Sequence, residues 1–150
     1  MLGKINSTVV MKANLNEYAL TAGLMMLFMS IAHAVYGETV VFSDLRFLNF
    51  DRALFATVYA PWHQMSFVLL ISSIGLILSS FKVKLRSIQS FVLLVTLSNL
   101  LIFIISIANG TTIYEHSSQA LVFQAWPQFF FFIILVLLIV LGIRKKEKTT

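Results

Sequence analysis

Cysteine is absent from the 150 residues, and charged side chains make up only 11% of them. Without thiols there is no disulfide framework, thiolate metal centre, cysteine nucleophile or iron–sulfur cluster. An ordinary domain carries roughly 25% charged residues. A small fold exposes a large share of its area, so a chain this short and this poorly charged has too little polar surface to cover itself in water. Apolar types fill the difference, at 59% of the chain, with a mean hydropathy of +0.90. These values describe an integral membrane protein and exclude a soluble enzyme.

A helix crosses the hydrocarbon core with about 20 apolar residues. Four uncharged runs reach that length, at residues 18–37, 61–81, 88–108 and 126–143. They predict an all-α, four-helix membrane bundle forming a single domain. Pro61 suits the first turn of the second span, where its missing N–H is no loss. Trp62 and Trp126 stand at the starts of spans, where indole rings anchor at the interface. The small-x-small run Ala32-His33-Ala34 has the form of a signal cleavage site, but the polar segment before the span is long for a signal, so the first helix is expected to be retained.

The net charge of +5 reads as topology once the charges are placed. Lys4 and Lys12, then Lys82, Lys84 and Arg86, then Arg144, Lys145, Lys146 and Lys148 fall on segments that share one side of a four-span bundle. Those nine of the eleven basic residues put both termini in the cytoplasm, and no nucleic-acid partner is needed to explain them. The opposite side holds Arg46 and Arg52 with Glu38, Asp44, Asp51 and Glu115. Residues 43–60 on that side mix apolar and charged positions in the manner of a short interfacial helix, apolar face down.

Polar groups inside the spans are costly and point to sites. Asp, Glu, Lys and Arg are missing between the span ends, which argues against a proton-coupled exporter of the small multidrug type and against a voltage sensor. Histidine remains. His33, His63 and His116 all map to the outer end of the bundle, beside Glu38 and Glu115. Neutral imidazoles ligate divalent metals or haem iron, so His33, His63, Glu38 and His116 form a candidate ligand set for a metal, a haem or a quinone-like molecule. Trp62, Gln64, Asn99 and Gln128 are candidates for the pocket or its second layer. Each histidine also has a bland reading, as a hydrogen-bonding group where helices meet.

Ser30, His33, Ala34 and Gly37 follow a three-and-four spacing that marks a helix contact, as do Ser72, Ser73 and Gly75. This favours the alternative function, a non-catalytic helical subunit that packs against itself or a larger membrane complex. No Ser-His-Asp pattern, paired intramembrane carboxylates or phosphate loop is visible, so the reading leans away from an enzyme.

Across residues 17–81 the chain resembles a group of short, uncharacterised bacterial multi-span inner-membrane proteins. The likeness lies in His33-x3-Gly37-Glu38 closing the first span and Trp62-His63 opening the second, with Arg46 or Arg52 between them. It implies a bacterial inner-membrane location and a joint role for His33, Glu38, Trp62 and His63, with no activity to carry over.

Overall fold

The structure is a computed structural model describing residues 15–47, 51–113 and 118–147, with side chains described except at 109–125 and beyond 145. The described chain is almost wholly helical: α1 (Glu17–Tyr36), a π-helical turn (Gly37–Val41), α2 (Phe42–Phe47), α3 (Arg52–Phe81), a short 3-10 turn (Val83–Leu85), α4 (Ser87–Ile113) and α5 (Ser118–Glu147). Four stretches among these residues are long and apolar enough to cross a membrane, as the sequence predicts. In cross-section α1 lies beside α3 and α5, and α4 closes the ring between them.

Each helix runs past its expected end. α1, the π turn and α2 form one continuous helical rod of 31 residues, about 46 Å by helical rise, against a core of about 30 Å. Among the described residues of 43–60 no separate interfacial helix stands apart from the two rods. Residues 42–47 instead extend the first rod and Arg52–Ala60 begin α3, because Asp51 caps α3 by accepting from the Ala53 and Leu54 backbone amides. Phe55 and Tyr59 pack on Phe42 of the first rod instead of on lipid. Pro61 therefore stands inside α3 and not at its start.

The tightest contact joins α1 to α3. The buried face of α3 alternates Ser66, Leu69, Ser73, Leu76 and Ser80, a spacing of three and four that presents one stripe. The serines leave little bulk, so the backbones approach closely. Ser73, Ser79 and Ser80 satisfy their hydroxyls on carbonyls one turn back. Facing them are Ala19, Ala22, Gly23, Met26 and Ser30 of α1. At Gly23 a Cβ would stand 2.7 Å from Ile77 and 3.1 Å from the Ser73 carbonyl, so only glycine fits. The apolar core continues from Ala22, Met26, Leu69 and Leu76 into Val92 of α4 and Leu135 and Ile139 of α5.

At the end where α1 begins, one buried asparagine reaches all three other helices through its side chain and backbone. Asn16 caps α1 by accepting from the Ala19 amide at 3.2 Å. Its own backbone N–H donates to the Ser80 carbonyl of α3 at 2.9 Å. Its side-chain amide donates to the Gly142 carbonyl of α5 at 2.8 Å and lies 3.5 Å from Gln89 Oε1 of α4. Gln89 in turn donates to Ser79. The basic residues Lys82, Lys84, Arg86, Arg144 and Lys145 therefore gather at one end of the bundle, and Glu38, Arg46 and Asp51 lie at the other.

A buried polar group stripped of its partner costs about 1–3 kcal/mol, and an exposed ion pair contributes at most about 1 kcal/mol. Asn16→Ala is accordingly expected to lower stability by about 2–3 kcal/mol. Glu17→Ala, which removes the exposed pair with Lys145, should cost less than about 1 kcal/mol. Unfolding by sodium dodecyl sulfate in mixed micelles measures both.

Candidate functional site

Buried positions on α1 follow one helical face from Ala19 to Ser30, and the next ones are Gly37, two turns on, and Phe42. Five residues separate Gly37 from Phe42, and the π turn between them accommodates that step. The Phe42 amide closes the turn on the Gly37 carbonyl. A π turn holds one residue more than an α turn. It therefore rotates the chain so that Phe42, not Val41, meets α3.

Glu38 is the hub of a polar cluster between the first rod and α3. Its Oε1 accepts from the Tyr59 hydroxyl at 2.7 Å and from His63 Nε2 at 3.0 Å. Its Oε2 accepts from Arg46 at 3.1 Å. Tyr59 and His63 sit one turn apart on α3, and Glu38 and Arg46 lie on the first rod, so the carboxylate bridges the two helices. Phe42, fully buried, lies beneath them against Tyr59, Trp62 and His63. Arg46 also lies 5.7 Å over the Phe55 ring. The Glu38 side chain keeps 39% of its surface accessible.

His33 lies a little deeper and belongs to a second, adjoining set. Its ring stacks on Trp62 with centroids 4.2 Å apart and planes 14° from parallel. The Trp62 indole N–H donates to the His33 carbonyl at 2.9 Å. His33 Nδ1 shares a 2.9 Å hydrogen bond with the Ser66 hydroxyl, which also donates to the Trp62 carbonyl. Ser30 donates to the Ser66 carbonyl and holds the same level. Gly37 is the seat for the indole: a Cβ there would stand 2.1 Å from Trp62 Nε1. Trp62 is thus a packing element between α1 and α3, not an anchor lying among headgroups.

Counting from Glu17, His33 lies about 24 Å along the rod and Glu38 about 31 Å; counting from Phe81, His63 lies about 27 Å and Tyr59 about 33 Å. With Glu17 and Phe81 set at the near face of a core of about 30 Å, the cluster falls at the far boundary, with His33 just inside it and Arg46 beyond.

The structure brings together His33, Glu38, Trp62, His63, Ser30 and Gly37. Ala34 is half-buried on the same helix. Gln64 and Asn99 lie elsewhere, lining a groove between α3 and α4, and Gln128 is exposed on α5. His116 lies outside the described residues. Sequence reasoning did not single out Tyr59, Ser66 or Phe42 as members of the cluster. Tyr59 and Ser66 follow from His63 by one helical turn backward and nearly one forward. Phe42 depends on the π turn and carries no such signal.

The imidazoles serve different partners, His33 the Ser66 hydroxyl and His63 the Glu38 carboxylate. Among the described residues no three His, Asp or Glu side chains converge as a metal site requires, and His116 of the candidate ligand set lies outside them. Comparison with known proteins adds no relative: the chain matches no family model, no curated protein and no solved structure.

Gly37→Ala should drive the indole off its seat. Overpacking of this kind costs about 1–3 kcal/mol, and the Trp62–His33 stack should be lost. A shift in tryptophan emission, measured in a Trp126→Phe background so that Trp62 alone reports, checks it.

Proposed function

We propose that this integral membrane protein binds a small lipid-soluble molecule of quinone type at the Glu38–Tyr59–His63 cluster. One observation carries the reading: Glu38 accepts hydrogen bonds from both His63 and Tyr59 and still keeps 39% of its side-chain surface open. The protons that His63 and Tyr59 give to Glu38 could turn from it to a ligand's carbonyl oxygen, and the Glu38 carboxylate so released could accept from a hydroxyl. The neighbouring rings of Phe42, Tyr59 and Trp62 give an aromatic headgroup surfaces to stack on. Electron transfer is not assigned to the chain; the reading concerns binding and proton exchange at the membrane boundary.

The same reading places the protein in the inner membrane of a bacterium, with the basic end of the bundle cytoplasmic and the cluster facing outward. The gathering of Lys82, Lys84, Arg86, Arg144 and Lys145 at one end supports that orientation through the attraction of basic flanks to the cytoplasmic side. A fluorescent reporter fused after Thr150 should be active, and an alkaline phosphatase fused there should not.

Decylubiquinone added to the micellar protein carrying Trp126→Phe should quench Trp62 saturably. Glu38→Gln should weaken the binding of the reduced form, decylubiquinol, whose hydroxyl can donate to the carboxylate, by about ten-fold, the loss expected for one charge-assisted hydrogen bond of roughly 1.5 kcal/mol. Its unfolding midpoint reports folding separately. Linear, non-saturating quenching in the parent protein would defeat the proposal, as would equal decylubiquinol affinity in a folded Glu38→Gln protein.

A further inference from the structure

Gly75 and Ile88 close the seam between α3 and α4 towards the basic end: a Cβ on Gly75 would stand 2.9 Å from the Ile88 side chain. Gln64 precedes Gly75 by eleven residues, and Asn99 follows Ile88 by eleven. Eleven residues make close to three helical turns and about 16 Å of rise. In antiparallel helices these equal steps run the same way, so Gln64 and Asn99 arrive at one level on the same seam. There the seam has opened into a groove of about 470 Å³, and both side chains line it. Small-molecule sites typically enclose about 300–1,000 Å³.

Neither carboxamide makes a hydrogen bond among the described residues, to the other or to a third group. Ser98, beside them in the groove, gives its proton to the Leu94 carbonyl. Hydrocarbon offers an amide N–H no acceptor, and leaving it unpaired there is costly. With Phe81 at the near face of a core of about 30 Å, Gln64 stands about 26 Å up, roughly 4 Å below the far face. That is the level at which the ester carbonyls of an acyl lipid hang beneath its headgroup. From there the groove turns apolar with depth, Val68 lying one turn below Gln64, and Leu94 and Val95 about one turn below Asn99. The order of groups is that along a lipid.

We propose that this groove is a lipid site, taking a diacyl glycerolipid from the leaflet at the Glu38 end. Its ester carbonyls accept from the Gln64 and Asn99 side-chain amides, and an acyl chain lies along Val68, Leu94 and Val95. An ester carbonyl is an acceptor with no proton of its own, the complement of a carboxamide N–H. Gln64 and Asn99 are uncharged, so the contact reads the ester linkage and leaves the headgroup unselected. The groove flanks α3 on its α4 side, whereas Tyr59 and His63 face the first rod. The site therefore stands whatever the Glu38 cluster binds.

The test is native mass spectrometry of the protein released from micelles doped with equal amounts of two phosphatidylglycerols. One is the diacyl form; the other is the dialkyl ether form, with the same headgroup and chain lengths but no carbonyl. The parent protein should retain the diester about ten-fold more than the diether, the roughly 1.4 kcal/mol that two such hydrogen bonds supply. Gln64→Leu/Asn99→Leu should bring the two lipids to parity while the unfolding midpoint shows the bundle intact. Gln128→Leu, which removes an exposed carboxamide on α5 outside the groove, should keep the full preference. Equal retention of the two lipids by the parent protein would overturn the proposal without any variant having to fold. So would a preference that survives in the folded double variant or disappears with Gln128→Leu. A second copy of the chain held in place of lipid, and lost on Gln64→Leu/Asn99→Leu, would give the groove to a helix and overturn it as well.

Discussion

A single asparagine, Asn16, governs how the four helices stand at the basic end of the bundle. It caps its own helix and reaches α5, with the Gln89 side chain of α4 beside it, and its backbone binds α3, all at a buried position. Apolar contacts in lipid gain no hydrophobic drive, since the tails are as apolar as leucine, so packing and hydrogen bonds must hold the helices. The Asn16 junction fixes the helices to one another at this end, in register with the Ser/Leu stripe of α3 that packs on α1.

From that junction the α1–α3 pair extends as one close-packed seam to the opposite end. Ordinary helical phase carries the seam as far as Gly37. Beyond it the π turn shifts the phase and keeps the two rods in contact out to Phe42 and Arg46. Without that extra residue Val41 and not Phe42 would fall on the seam. The polar cluster is thus a product of the seam: small residues bring the backbones together, and the phase shift seats Phe42 against Tyr59 and His63 and keeps Arg46 within reach of Glu38.

Much of this was legible in the residues. Long apolar runs mark the four spans, because lipid demands length and hydrophobicity before anything else. The motif His33-x3-Gly37-Glu38 with Trp62-His63 marks the site, since helical spacing places them at one depth. The helix ends were not legible. Residues 43–60 read as an interfacial element because amphipathic spacing looks the same whether its apolar face meets lipid or another helix. The π turn was hidden for a similar reason, as nothing in Gly37–Val41 distinguishes five residues per turn from four. Asn16 lies outside the apolar runs and looks like an ordinary polar flank, and only the return of Gly142 and Gln89 to the same point gives it weight.

The Asn16 junction also imposes an order on how the molecule is made. Its farthest partner, Gly142, lies 126 positions later in the chain. While a ribosome is still producing the intervening segments, the Asn16 amide has no acceptor on α5 to receive it. The first helix must wait in the bilayer with its polar end in interfacial water, and the junction of all four helices is completed only when the last one arrives.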